Sequence, residues 1–228
     1  MESAAPPFPP FARWLLLPAV AAMFVLGVWI AGGVLTNSFK ASMALVAVWY
    51  AAAGAAVLVA GLRRRGLRAP LWTGYAVAAA AVGIFLAVTT LRDRVVHERV
   101  LVGVPSTQVA QAQGTEAPAV VTLRTGRFVS GEHDTTGVAS VVRSRDGSRH
   151  LTLTGFDTSP GPDLRVRIVP GQTDDGGAAG NIDLGALKGN RGDQQYELPR
   201  GADVENATVV IWCRAFSATF GSARLRAA

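Results

Sequence analysis

The sequence predicts two parts of different class, a segment of three transmembrane helices followed by an all-β domain, either an antiparallel β-sandwich or a partly open barrel. Three observations predict this division. Long hydrophobic stretches without charge fill the first hundred residues, a stretch rich in small and polar residues follows, and the remainder alternates hydrophobic and polar residues with a period of two. We therefore divide the chain into a membrane anchor at 1–100, a flexible linker at 101–119 and a β domain at 120–228.

Three uncharged stretches define the membrane anchor. They lie between Arg13 and Lys40, between Lys40 and Arg63, and between Arg68 and Arg92, and they are 26, 22 and 23 residues long. About 20 residues of helix are enough to cross the hydrocarbon core of a bilayer. The predicted transmembrane helices are 14–36, 41–62 and 70–91.

The predicted spans contain no Asp, Glu, His, Lys or Arg. Ionisable residues inside a membrane usually mark ion or proton paths, so the sequence argues against a transporter or a pump. Haem bound between the spans is also disfavoured, because the spans offer no histidine to the iron. We interpret the helices as an anchor in the lipid bilayer that packs on itself or on a partner.

The excess positive charge belongs entirely to the anchor. Residues 1–100 carry nine Lys and Arg against three Asp and Glu, whereas the rest of the chain carries thirteen of each sign. These arginines flank hydrophobic runs, as they do at membrane surfaces, so we expect no nucleic-acid partner. The cluster from Arg63 to Arg68 predicts a cytoplasmic loop, with five positive charges inside against four outside. The amino terminus is then cytoplasmic and the β domain extracytoplasmic.

The second half of the chain has the periodicity of half-buried strands. Leu164, Val166 and Ile168 alternate with charged residues, and Leu151 and Leu153 alternate with threonines. Turn sequences separate these runs, and no convincing amphipathic helix lies between them. Many short strands without helices are typical of an antiparallel sandwich or a partly closed barrel.

Cys213 is the only cysteine in the 228 residues, so no disulfide can form within the chain. It follows the β-branched run Thr208–Ile211, which predicts that the thiol lies in or beside a β core. The alternation changes parity near Arg214 and Ala215, and this change predicts a bulge or a bend beside the sulfur.

Several short motifs follow one another through the β half, among them Gly-Pro-Asp at 161–163, Asp-Leu-Gly-Ala-Leu-Lys-Gly at 183–189 and Ile-Trp-Cys at 211–213. As a set, over roughly residues 122–226, they resemble the DM-thirteen domain. That domain is a small β domain related to DOMON domains and occurs in Skeletor-like proteins and in many bacterial surface proteins. The resemblance implies an extracytoplasmic domain with an electron-transfer role centred on Cys213. The motif positions are Gly161, Pro162, Asp163, Asp183, Gly185, Lys188, Gly189, Asp193, Tyr196, Trp212, Phe216, Phe220 and Gly221.

Two residues are candidates for the chemistry. Cys213 is a candidate redox thiol or cofactor ligand, and His133 is a candidate second ligand or base. The thiolate is the reactive form of cysteine, so Cys213 needs a cation or an imidazole beside it, for which Arg214 and His133 are the candidates. Cysteine and histidine together can bind haem or a single metal ion. The sequence contains neither a Cys-x-x-Cys-His motif nor a cluster with zinc spacing.

Simpler interpretations of both residues stay open. Cys213 is equally interpreted as an inert core residue, and His133 as a turn residue bonded to the backbone. Two hypotheses about function follow. The first is a membrane-anchored redox domain that exchanges electrons with a membrane or surface partner. The second is a non-catalytic binding or adhesion module tethered by the spans. Both describe an electron-transfer or binding protein rather than an enzyme with its own substrate.

Overall fold

The structure is a computed structural model that describes residues 12–36, 38–111 and 118–228. The chain divides into two compact units, with the boundary between Val88 and Thr89. The first unit is helical and the second is built mainly from β-strands.

The three predicted spans are confirmed as helices that are long and apolar enough to cross a membrane. Their ends agree with the prediction to within a few residues. Short 3₁₀ turns at Ala12–Leu15 and Arg65–Leu67 precede the first and third helices. The helices are α1 (Leu16–Gly33), α2 (Phe39–Arg63) and α3 (Arg68–Leu91).

Aromatic side chains hold the helical unit together. The ring of Phe24 on α1 is fully buried and contacts the rings of Trp49, Tyr50 and Tyr75, at centroid distances of 6.4, 5.5 and 4.7 Å. Gly54 on α2 leaves room for Tyr75, because a Cβ at this glycine would lie 2.6 Å from the tyrosine oxygen. The anchor therefore has a packed core of its own, as the interpretation of helices that pack on each other requires.

The β unit contains two sheets that pack as a sandwich and do not close into a barrel, which confirms the predicted fold class. Within the described residues, sheet A has the strand order β1-β9-β6-β5-β3-β12, and β2 also pairs with β3. Its pairs are antiparallel except β1 with β9 and β2 with β3. The strands of sheet A are β1 (Val95–His97), β2 (Val104–Pro105), β3 (Val120–Arg127), β5 (Thr135–Ser144), β6 (Arg149–Thr158), β9 (Arg191–Glu197) and β12 (Arg226–Ala227).

Sheet B is antiparallel throughout, with the order β4-β11-β10-β7-β8. The predicted alternation holds on β7, where Leu164, Val166 and Ile168 are buried and the intervening arginines are partly exposed. These side chains and Leu151 and Leu153 of sheet A belong to the buried core. The strands of sheet B are β4 (Val129–Ser130), β7 (Leu164–Pro170), β8 (Ile182–Ala186), β10 (Ala207–Cys213) and β11 (Ala218–Arg224).

The segment from Arg92 to Pro105, which we call the strap, spans the predicted boundary between the anchor and the flexible linker. In the structure it belongs to the β unit from its first residue. Its strand β1 pairs with β9, and its strand β2 pairs with β3. A short helix, α4 (Ser106–Gln111), follows the strap. Residues 112–117 of the predicted linker lie outside the described residues.

Polar contacts hold the strap to the sheet. The Glu98 carboxylate accepts hydrogen bonds from Lys188 Nζ at 2.7 and 3.0 Å and from the Gln195 amide at 2.9 Å. Burial acts to raise the pKa of Glu98, but the bonds from Lys188 and Gln195 and the charge of Lys188 outweigh it and lower the pKa. The Leu101 amide donates to Gln195 Oε1 at 3.1 Å. Since β6 and β5 lie between β9 and β3, the strap connects two strands that are not neighbours in sheet A.

Candidate functional site around Cys213

Cys213 is the last residue of β10, the most deeply buried strand of sheet B. All seven residues of this strand are buried, and Cys213 has an exposed fraction of 0%. The β-branched run before it favours the extended backbone, and β10 is hydrogen-bonded on both sides, to β7 and to β11. In the register, Cys213 lies opposite Leu164 on one side and Ala218 on the other. The thiol therefore lies inside the β core, as the sequence predicted.

The sulfur makes a specific polar contact. Its S–H donates a hydrogen bond to the backbone carbonyl of Pro162, with 3.0 Å between Sγ and the oxygen. Burial raises the pKa of the Cys213 thiol to about 12, although backbone hydrogen bonds from Phe216 and Ala215 act in the opposite direction. At neutral pH the sulfur is therefore a protonated hydrogen-bond donor and is not a thiolate.

The turn at residues 161–163 covers the sulfur. Contacts between Asp163 and Arg214 hold this turn in place. The backbone of Asp163 has a φ of 57°, which places it in the left-handed region. Its carbonyl accepts a hydrogen bond from the Arg214 amide at 3.1 Å, and its carboxylate pairs with Arg214 Nε. The Arg214 guanidinium thus forms an ion pair with the Asp163 carboxylate. Arg214 therefore does not serve as the cation that lowers the pKa of Cys213.

The same turn packs on Phe220. A Cβ at Gly161 would lie 2.8 Å from the ring of Phe220, which is closer than side chains approach one another. Phe220 has an exposed fraction of 0%, and Phe216 is also buried. The absence of a side chain at Gly161 therefore allows the turn to close over the sulfur.

The predicted change of parity is explained by a hairpin. The strand β10 ends at Cys213, the chain turns through Arg214–Ser217, and β11 begins at Ala218. The pairing of β10 with β11 shifts register between Ile211 and Trp212. Phe220 is the extra, unpaired residue of the resulting bulge on β11. The chain bends beside the sulfur as predicted, but at a turn between two strands and not within a single one.

His133 lies between β4 and β5, and its ring packs against Phe220. The two ring centroids are 4.0 Å apart with an interplanar angle of 32°. The His133 amide donates to the Phe220 carbonyl at 3.4 Å. Thr135 Oγ1 donates to the same carbonyl at 3.1 Å and bonds with Thr158 Oγ1 at 2.8 Å. His133 therefore belongs to the surroundings of Phe220.

The contacts given above for Cys213 and His133 are with different atoms, the Pro162 carbonyl for the thiol and the Phe220 ring for the imidazole. No group of three or more His, Cys, Asp or Glu suitable for a metal ion occurs in the part of the chain that the structure describes. The residue that would supply the thiolate has no exposed surface, and its S–H is engaged by a carbonyl. These residues do not fit haem or a single metal ion in the present conformation, and we derive no chemistry through such a group.

Several motif residues stabilise sheet B away from the sulfur. Asp183 on β8 pairs with Arg165 at 2.9 Å and with Arg167 at 3.4 Å. Burial acts to raise the pKa of Asp183, but hydrogen bonds from Arg165 and Gly185 and both arginine charges lower it. The indole of Trp212 lies close to Gly176, and the Arg167 guanidinium lies 5.6 Å from the centroid of the indole ring. Position 221 has no room for a side chain, because a Cβ at Gly221 would lie 2.5 Å from the Cβ of Thr135.

The other motif residues hold the strap. Lys188 binds Glu98, and a Cβ at Gly189 would lie 2.5 Å from the Arg94 carbonyl. The Asp193 carbonyl accepts from the Glu98 amide at 2.9 Å. Tyr196 is buried, which raises the pKa of its phenol. These positions therefore fix the segment that leads out of the third helix.

Gln194 is not among the candidate site residues that the sequence indicates, although its side chain organises this region. It is fully buried, and its Oε1 accepts hydrogen bonds from the Tyr196 hydroxyl at 2.8 Å and from the Lys188 amide at 3.1 Å. Its Nε2 donates to the Gly189 carbonyl at 2.9 Å. The available signal is the alternation along the strand, because Gln194 shares the strand face of the motif residue Tyr196.

Residues 127–225 match the family described as electron transfer DM13. Neither the curated proteins nor the solved structures contain a significant match. The matched range begins five residues after the start indicated by the motifs and ends one residue before their end.

Proposed function

Because the chain carries a DM13 electron-transfer domain at residues 127–225, we propose that it is a membrane-anchored electron-transfer protein with Cys213 as the redox group. The family match is the observation that carries this proposal. The three apolar helices hold the domain at a bilayer. A second protein in the membrane or at its surface supplies or accepts the electron.

The assignment to Cys213 is supported by a subset of the motif residues that meet around the sulfur. The Gly-Pro-Asp turn closes over the sulfur, the Ile-Trp-Cys strand presents it, and Phe220 packs beneath the turn. The turn is distant in sequence from the hairpin that carries Cys213 and Phe220, since Pro162 and Cys213 are 51 residues apart. Their meeting at the only sulfhydryl group of the chain favours a role that depends on the sulfur.

The buried state of the thiol sets a condition on this role. Oxidation of a neutral thiol by one electron releases its proton, and a backbone carbonyl is too weak a base to keep that proton. We therefore infer that oxidation requires the turn at 161–163 to open, so that water or the redox partner takes the proton. The alternative acceptor of this proton within the chain is His133, which lies beside Phe220.

The side of the membrane is also part of the proposal. The arginine cluster between the second and third spans favours a cytoplasmic loop there. Three spans then place the β domain on the opposite side from the amino terminus, in the extracytoplasmic space.

Protein-film voltammetry of the purified full-length protein tests the redox assignment. The wild-type protein is expected to give a reversible wave, and Cys213→Ser is expected to abolish it. Serine is the matched control for folding, because its hydroxyl can still donate to the Pro162 carbonyl and its volume is similar. A wave that survives unchanged in Cys213→Ser would remove Cys213 from the account.

A non-catalytic binding or adhesion module is the second candidate. The observation that favours it is the complete burial of a protonated Cys213. On this alternative the wild-type protein gives no wave at all, and Cys213→Ser leaves the cell-surface phenotype unchanged. The two candidate functions therefore predict different voltammetry of the wild-type protein, and they also predict different effects of Cys213→Ser.

A further inference from the structure

A continuous set of hydrogen bonds connects the strap with the turn over Cys213, and Asn190 lies at its centre. We propose that Asn190 is a positioning residue, which holds the 161–163 turn closed over Cys213. Access to the thiol then depends on how firmly the strap holds Asn190. The functional meaning of this coupling rests on the proposed redox role of Cys213, whereas the coupling itself is measured without any electron transfer.

Asn190 immediately precedes β9, and the strap binds its side chain. The Oδ1 atom of Asn190 accepts a hydrogen bond from the Arg94 amide at 2.6 Å, and its Nδ2 donates to the Asp93 carboxylate at 2.9 Å. Asn190 has an exposed fraction of 4%. Because a buried amide cannot readily replace a lost partner with water, both bonds favour the arrangement seen here. The strap therefore fixes the position of the Asn190 side chain.

Asn190 in turn holds Thr158, the last residue of β6. The Nδ2 atom of Asn190 also donates to the Thr158 carbonyl at 2.9 Å, and the Thr158 amide donates to the Asn190 carbonyl at 2.9 Å. Two residues, Ser159 and Pro160, separate Thr158 from Gly161, where the turn begins. Since this connection is so short, the position of Thr158 restricts the position of the turn.

A second branch leads from Thr158 to the ring that supports the turn. The Thr158 hydroxyl bonds with Thr135 Oγ1 at 2.8 Å, and both threonines are buried. Thr135 Oγ1 donates to the Phe220 carbonyl at 3.1 Å, and the ring of Phe220 lies against Gly161. Contiguous hydrogen bonds of this kind carry coupling when one element has two arrangements, and here that element is the closed or open turn. Displacement of Thr158 therefore disturbs both the turn and the ring beneath it.

The rate at which a maleimide labels Cys213 tests this coupling in the full-length protein at neutral pH. Two variants of Asp93 form a matched pair, because both lose the ion pair with Arg191. Asp93→Asn keeps a carbonyl oxygen that can accept from Asn190 Nδ2, whereas Asp93→Ala has no acceptor. We expect Asp93→Ala to be labelled about fivefold faster than Asp93→Asn, which is the usual effect of one hydrogen bond on an equilibrium.

A double-mutant cycle tests whether this effect passes through Asn190. Asn190→Ala alone is expected to be labelled at least about tenfold faster than wild type, because the Arg94 amide and the Thr158 carbonyl lose their bonds to its side chain. In a protein that also carries Asn190→Ala, the two Asp93 variants are expected to be labelled at equal rates. Each rate is also measured in low concentrations of urea. Opening of the turn alone exposes little surface, so its labelling rate depends weakly on urea, whereas unfolding of the β domain depends on urea steeply.

Equal labelling of Asp93→Ala and Asp93→Asn in the protein with Asn190 intact would overturn the proposal. A steep urea dependence of the accelerated labelling would also overturn it, because the variants would then act by unfolding the β domain. The Asp93 pair gives this decision even if Asn190→Ala does not fold. A wild-type protein without a voltammetric wave would remove the redox role of Cys213 and leave these labelling rates unchanged, so the two failures are distinguishable.

Discussion

Replacing Gly161 with alanine is expected to make Cys213 react with a maleimide roughly tenfold faster or more than in the wild-type protein. The added Cβ would lie 2.8 Å from the ring of Phe220, and this ring is fully buried. Overpacking of this kind typically costs about 1–3 kcal/mol. If the strain is relieved by opening of the 161–163 turn, the population of the open form rises about 5- to 150-fold.

The rate of labelling is measured by mass spectrometry on the full-length protein at neutral pH. The control is Gly147→Ala, which adds the same methyl group in the β5–β6 turn, where no heavy atom lies within 4 Å. The backbone at Gly147 has a φ of 84°, so this control also reports the effect of strain remote from the sulfur. Equal acceleration of Cys213 labelling by both substitutions would mean that the β domain loosens as a whole. Access to the thiol would then not depend on opening of the 161–163 turn.

Replacing Phe220 with alanine is expected to lower the free energy of unfolding of the β domain by about 3–5 kcal/mol. Phe220 is fully buried, it is the bulge residue of β11, and its ring contacts both His133 and the turn at Gly161. Truncation leaves a cavity beneath the turn that covers the sulfur. Phe220→Ala is therefore expected both to lower the stability of the β domain and to increase access to the Cys213 thiol.

Pulse labelling of Cys213 in a series of urea concentrations measures this loss, because the cysteine becomes reactive when the domain unfolds. The urea midpoint is expected to fall by roughly 1–3 M, given the usual dependence of stability on urea. The control Val129→Ala changes an exposed residue on β4, which pairs with β11, and is expected to shift stability by less than about 0.5 kcal/mol. A midpoint in Phe220→Ala that matches this control would show that Phe220 does not seal the site.

The membrane anchor was predictable because its signal is local. A span needs only a long uncharged stretch, and the charges at Arg13, Lys40, Arg63, Arg68 and Arg92 delimit three of them. The strand β7 was predictable for the same reason, since alternation between Leu164 and Ile168 reports one buried face. In both cases the neighbouring residues carry the information.

The strap could not be predicted in this way. The sequence from Arg92 to Arg99 has the charge density of a solvated helix end, and its helical or extended form depends on distant partners. Those partners are Asn190, Lys188 and Gln195, which lie about ninety residues further along the chain. Pairing between segments so far apart has no local signature.

The burial of Cys213 was predictable, whereas the state of its sulfur was not. The hydrophobic surroundings of β10 indicate a core position, but the acceptor of the S–H bond is a backbone carbonyl at Pro162. The role of Arg214 depends on the conformation of Asp163, which brings the two side chains together where the start of β7 lies beside the end of β10. Neither contact follows from residue type or spacing.

Electron delivery from oriented proteoliposomes tests most directly whether Cys213 is the redox group of a β domain that lies across the membrane from the amino terminus. The reduced full-length protein is reconstituted with its amino terminus facing the lumen, and ferricyanide, which does not cross bilayers, is added outside. We expect wild-type protein to reduce ferricyanide and Cys213→Ser to reduce none. Equal reduction by the two proteins, or reduction only when ferricyanide is enclosed in the lumen, would contradict this account.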